Sequence, residues 1–140
     1  MNLKQRLSSG NLLLMELIFA LAFFSVAMAA TMSVFGRSYE MSKEAAGINM
    51  ALRESNSAIE IIRSSDDTGE IGSTLEKAGF SPAGDTGYEK EYGDGKYSME
   101  LSLNEEGNLL TADITCFEKD KDTSDPLYEI SIKHALRGGT

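Results

Sequence analysis

The sequence predicts an α+β fold. One long amino-terminal helix, half membrane-spanning and half amphipathic, packs on a three- or four-stranded antiparallel sheet. Three observations carry this prediction. Residues 12–35 form an almost unbroken apolar run. Residues 41–62 repeat apolar side chains at helical spacing on an otherwise polar segment. Three short runs between residues 97 and 135 carry strand patterns, two of them alternating apolar and polar side chains with a period of two. At 140 residues the chain has the length of one domain.

Residues 1–10 form a short basic leader with Lys4 and Arg6. Residues 11–35 follow as the transmembrane half of the helix, and from Leu12 to Phe35 they carry one charge, Glu16. At about 1.5 Å per residue this run is roughly 36 Å long, enough to cross a hydrocarbon core of about 30 Å. A core helix in so small a domain is rarely apolar all round over this length. Residues 1–40 hold three basic and two acidic side chains, whereas residues 41–140 hold ten basic and twenty acidic. Basic residues stay on the cytoplasmic side, so the amino terminus is expected inside and the acidic remainder outside. The competing reading is a cleaved secretory signal with Ala27-Met28-Ala29 as its small-residue site, releasing a soluble domain. The apolar run continues past that site to Phe35, and Glu16 sits badly in such a signal.

Residues 36–64 form the amphipathic half. Met41, Ala45, Ile48, Leu52, Ile59 and Ile62 make an apolar stripe that only Ser55 interrupts, and one helix is expected from about Leu12 to about Ser64. Gly36 and Gly47 mark expected bends, because each costs about 1 kcal/mol relative to Ala. The stripe suits a coiled-coil seam or a helix lying over a small sheet, and the rest of the chain favours the sheet.

Residues 65–140 form the extracytoplasmic loop and sheet. Ser64 to Gly69 reads as a helix stop and loop, and Ser73-Thr-Leu-Glu76 as a capping box opening a short helix that ends at Gly79. Ser81 to Gly87 reads as a loop. Tyr97–Leu103, Leu110–Cys116 and Leu127–Ala135 read as strands, and Tyr88–Tyr92 as a short additional one turning through Gly93-Asp-Gly95. Glu105-Glu-Gly-Asn108 supplies a hairpin turn and Lys119 to Pro126 a longer connection. Such a sheet needs one face covered, and the stripe on residues 41–62 is the cover.

Composition argues against several classes. A formal net charge of −9 is unsuited to nucleic acid, whose binding relies on concentrated Lys and Arg. The chain has one Cys and one His. Cys116 falls on the apolar face of its strand, as a buried small hydrophobe would, and His134 reads as an ordinary strand residue. No enzyme activity and no cofactor are expected. Asp120, Asp122 and Asp125 gather three carboxylates in one loop, a set that suits a hard cation. The calcium-loop pattern fails there, with Asp125 where Gly is required and Ser131 where Glu is required, so a solvated acidic turn is expected.

The segment Gly10-Asn-Leu-Leu-Leu-Met-Glu16-Leu17, after a short basic leader, resembles the processing site of type IV pilins and type II secretion pseudopilins. The order of parts is similar too: a helix half in membrane and half amphipathic, then a loop and an antiparallel sheet. The resemblance implies a pilin-like fold, more a minor pseudopilin than a major pilin, cleaved by a prepilin peptidase and N-methylated. It implies a single-pass precursor in the cytoplasmic membrane, and partners that are other pilin-like subunits packed along the amino-terminal helix. Ala20, Ala22, Ser25, Ala27, Ala29 and Ala30 supply small residues for such packing. Glu16 would meet the positive amino terminus of a cleaved subunit during assembly. The family places this Glu fifth after the cleaved bond. Glu16 is sixth after Gly10, so cleavage follows Gly10 with one extra residue, or follows Asn11 and leaves Leu12 first. The alternative from another class is an unprocessed single-pass anchor displaying an extracytoplasmic binding domain.

Overall fold

The structure is a computed structural model that describes residues 3–121 and 124–137, with side chains described from Ser8 onward. The chain divides into two units, Met1–Glu44 and Ala45–Thr140. Helix α1, Leu3–Ser64, runs through the division. The first unit is helix throughout its described residues. Helix begins well before Leu12, because nothing breaks it: the leader contains good helix formers, and the first Pro in the chain is Pro82. Helix also continues through Gly36 and Gly47.

The second unit places the last five turns of α1 and a short helix α2, Thr68–Lys77, with a five-stranded antiparallel sheet. The strands are β1 Ser81–Ala83, β2 Gly87–Tyr92, β3 Tyr97–Glu106, β4 Leu109–Glu118 and β5 Tyr128–Ala135, and they neighbour one another in chain order. The fold class is therefore α+β with a meander sheet, one strand larger than the sequence suggests. The additional strand is β1, three residues with a Pro at their centre, too short to show any alternation.

Strands β3 and β4 form the centre of the core. Their register sets Met99 opposite Cys116, Leu101 opposite Ile114 and Leu103 opposite Ala112, all six buried. The alternation read from the sequence is this inner face. Above it α1 buries Gly47, Ala51, Ser55, Ala58, Ile59 and Ile62. This face is rotated by about one residue from the expected stripe: Met41 and Ala45 are exposed, and Ile48 and Leu52 are only half-buried. The reason is close approach. Gly47, Ala51, Ser55 and Ala58 are small, and a Cβ built on Gly47 would lie 3.0 Å from the Tyr97 hydroxyl. Ser55, which interrupts the apolar pattern in sequence, is a centre of the contact.

Helix α2 starts six residues earlier than the capping-box reading, with Ser73 as N-cap, places it. Asp67 is its extended N-cap residue, and Ile71 N–H donates to the Asp67 carbonyl at 3.1 Å. Ser73 and Thr74 are interior residues whose hydroxyls donate back to the Glu70 carbonyl at 3.0 and 2.8 Å. The earlier start brings Ile71 and Leu75 onto one buried face. Its end is where the sequence puts it. Gly79 takes φ +96°, Gly79 N–H donates to Glu76, and Phe80 N–H reaches back to the Leu75 carbonyl at 3.0 Å. This is a Schellman closure, in which a left-handed glycine frees two amides to satisfy the last carbonyls.

Candidate functional site

The features singled out by sequence for processing and assembly all lie on the first unit. Gly10, Asn11, Leu12 and Glu16 are exposed positions within two turns of α1. Leu12 precedes Glu16 by four residues, so the two share a helix face one turn apart. Asn11 is a further residue back and points to a different side. The Glu16 carboxylate has no hydrogen-bond or ion-pair partner among the described residues.

Around Glu16 the helix is bare. From Leu12 to Phe35 its large apolar side chains are between 56% and 77% exposed, a contiguous apolar surface of the kind that marks a membrane or protein contact. This one helix, near the amino terminus, is long and apolar enough to cross a membrane. Two of its polar side chains are already accommodated: Ser25 and Thr31 donate to the carbonyls of Leu21 and Ala27, each at 2.8 Å. A hydroxyl bonded to its own backbone needs no water, which suits a segment in hydrocarbon. Ala20, Ala27 and Ala30 fall within about 40° of the Glu16 direction at 100° per residue, whereas Ala22, Ser25 and Ala29 fall on the opposite side.

In the second unit the polar residues are structural in their surroundings. Ser55 Oγ and Cys116 Sγ are 3.7 Å apart at the helix–sheet seam, both buried. Burial pushes the Cys116 thiol up, with Ser55 opposing that shift through its hydrogen bond. Burial, and then the Cys116 thiol, push the Tyr92 phenol up. The Tyr92 hydroxyl is buried without a hydrogen-bond partner among the described residues. His134, half-buried on β5, faces the Ser65 carbonyl at 3.3 Å from Nε2 and so ties the sheet to the α1–α2 connection. Lys90 pairs with Glu54 at 2.8 Å and lies 5.3 Å from the centre of the Phe80 ring, joining β2, α1 and the end of α2.

Asp120 and Asp125 are exposed, and Asp122 lies outside the described residues. Among the described residues no three His, Cys, Asp or Glu side chains converge as a metal-binding set. On the outer face of the sheet Glu89, Glu100 and Asp113 border an open depression of about 440 Å³. Sequence reasoning passed over this acidic face because its members are spread along three strands, and only the register brings them together. No family model, curated protein or solved structure matches the chain.

Proposed function

We propose that the chain is a pilin-like structural subunit, of minor pseudopilin type, in a type II secretion or type IV pilus-like filament. One observation carries the reading: Glu16, a carboxylate without a partner among the described residues, is the fifth residue of an exposed apolar run of α1 that follows a basic leader. A carboxylate inside a bilayer costs a few kcal/mol unless neutralised or paired, so residues of this kind mark function by default. A cleaved, positively charged amino terminus of a neighbouring subunit is the partner that fits. Helices in lipid gain nothing from hydrophobic transfer against one another, so close packing at alanines and the Glu16 pairing set the association. In this reading the precursor is a single-pass protein of the cytoplasmic membrane, amino terminus inside and sheet outside. A prepilin peptidase removes the leader.

The spacing of Glu16 from Gly10 supports a second reading, an uncleaved anchor that displays the acidic sheet unit. Amino-terminal sequencing of the mature protein, made alongside a prepilin peptidase, separates the two. A start at Asn11 or Leu12 supports the filament subunit, and an intact leader supports the anchor. Under the first reading Glu16→Ala inserts in the membrane normally and is lost from the filament. Normal co-assembly of Glu16→Ala would sink the pairing role.

A further inference from the structure

The two edges of the sheet are unlike. β1 is three residues long with Pro82 at its centre, and a short edge that lacks a donor is blunted against further pairing. β5 is eight residues long, holds no Pro, and has no strand on its outer side among the described residues.

The register shows which backbone groups this edge offers. Leu136 N–H donates at 2.8 Å to the carbonyl of Asn108, the residue opposite it. In an antiparallel ladder bonded and non-bonded pairs alternate. The bonded pairs are therefore Leu110 with His134, Ala112 with Ile132 and Ile114 with Ile130. Glu129, Ser131 and Lys133 belong to the other set and turn both N–H and C=O away from β4, toward the open edge. Their side chains are exposed on the outer face, while Ile130 and Ile132 are only half-buried on the inner one. Neither Glu129 nor Lys133 has an ion-pair partner among the described residues.

Glu129-Ile-Ser-Ile-Lys133 reads the same from either end except that the terminal charges exchange. We propose that β5 is an association surface for a second copy of this chain, the two strands pairing antiparallel with Ser131 on the two-fold axis. In that register the outward groups of Ser131 meet those of the second Ser131, and Glu129 and Lys133 bond each other's backbones. Each Glu129 carboxylate then stands beside a Lys133 ammonium, twice over. On the inner face each Ile130 lies against an Ile132 in the closer, non-bonded type of pair. Slipping the pairing by four residues sets Lys133 on Lys133 or Glu129 on Glu129, so the charges select the register. The contact is isologous and closes on itself, which distinguishes it from the head-to-tail contacts that extend a polar filament. It joins subunits in pairs.

The test uses the full-length, unprocessed chain in detergent micelles, so its outcome is separable from that of the filament reading. Bonded cross-strand pairs have Cα atoms about 5.5 Å apart, within disulfide range. Ser131→Cys is expected to form a disulfide-linked dimer under oxidised glutathione, at a yield several-fold above Asn104→Cys, an exposed outer-face position on β3. The native Cys116 is buried and does not compete. Adding Glu129→Lys or Lys133→Glu to Ser131→Cys lowers the yield several-fold, and adding both restores it. A Ser131→Cys yield equal to that of Asn104→Cys overturns the proposal. So does a charge-exchanged double variant that stays as low as the single ones, or a dimer indifferent to all three changes.

Discussion

Ile62 offers a quantitative test of which face of α1 meets the sheet. Its side chain is fully buried and belongs to one apolar cluster with Ile59, Ile71, Leu75 and the inner face of β3 and β4. Ile62→Ala removes three carbons. At about 0.8 kcal/mol per buried methylene the lost transfer energy is about 2.4 kcal/mol. Incomplete collapse of the cavity raises the total to about 3–4 kcal/mol, within the range found for large-to-small changes in cores. For a domain near 100 residues this lowers the melting temperature on the order of 15 °C or more. The assay is thermal unfolding of the full-length chain in a non-ionic detergent, followed by near-ultraviolet circular dichroism. Tyr92 and Tyr97, stacked at 5.4 Å between ring centres, report the packing of the second unit. Met41→Ala, at an exposed position that the sequence pattern assigned to the same stripe, is the reference and is expected to change stability by less than about 0.5 kcal/mol. A loss below about 1 kcal/mol for Ile62→Ala, or equal losses at both sites, would refute the assignment of this buried face.

Three further predictions concern the polar groups of the second unit. Tyr92→Phe removes a buried hydroxyl that has no partner among the described residues, so stability is expected to stay level or rise by about 1 kcal/mol in the same assay. The Cys116 and Tyr92 acids are both held above their ordinary ranges. The folded state therefore keeps protons that the unfolded state releases. Stability is full below the unfolded thiol value of about 8.5 and falls as pH rises beyond it, a loss that Tyr92→Phe reduces only above about pH 10. Lys90→Met breaks the pair with Glu54 and the contact over Phe80, with an expected cost of about 1 kcal/mol. A double-mutant cycle with Glu54→Gln separates the ion pair from the ring contact.

What was legible in the sequence follows the strength of each periodic signal. The apolar run and the alternation in β3 and β4 stand out because each repeats over many residues and each buries or exposes whole side chains. The helix-covered sheet follows from them, since a meander with one apolar face has to be covered. The face of α1 was harder to read. A hydropathy stripe weights Ile48 and Leu52 above Gly47 and Ala51, whereas packing against a sheet at short distance selects the small residues. β1 and the first turn of α2 escaped for a related reason: three residues around Pro82 have no pattern, and Asp67 marks the helix start through its extended backbone, with no capping hydrogen bond from its side chain. Glu16 was legible as a charge within an apolar run, and the structure adds that nothing in the described chain answers it.

The inward-turned hydroxyls of Ser25 and Thr31 bear on how a neighbour could index itself along this helix. From Leu12 to Met32 the only other polar side chain is Glu16. With both hydroxyls bonded to their own backbone, a helix packed alongside finds a surface that nearly repeats with each turn, about 5.4 Å. Bare dispersion on such a surface distinguishes poorly between one axial offset and the next, so under the proposed filament reading a single carboxylate acts as the detent. Without it no offset is preferred over the next, so a Glu16→Ala subunit has no defined axial position at which to join its neighbours.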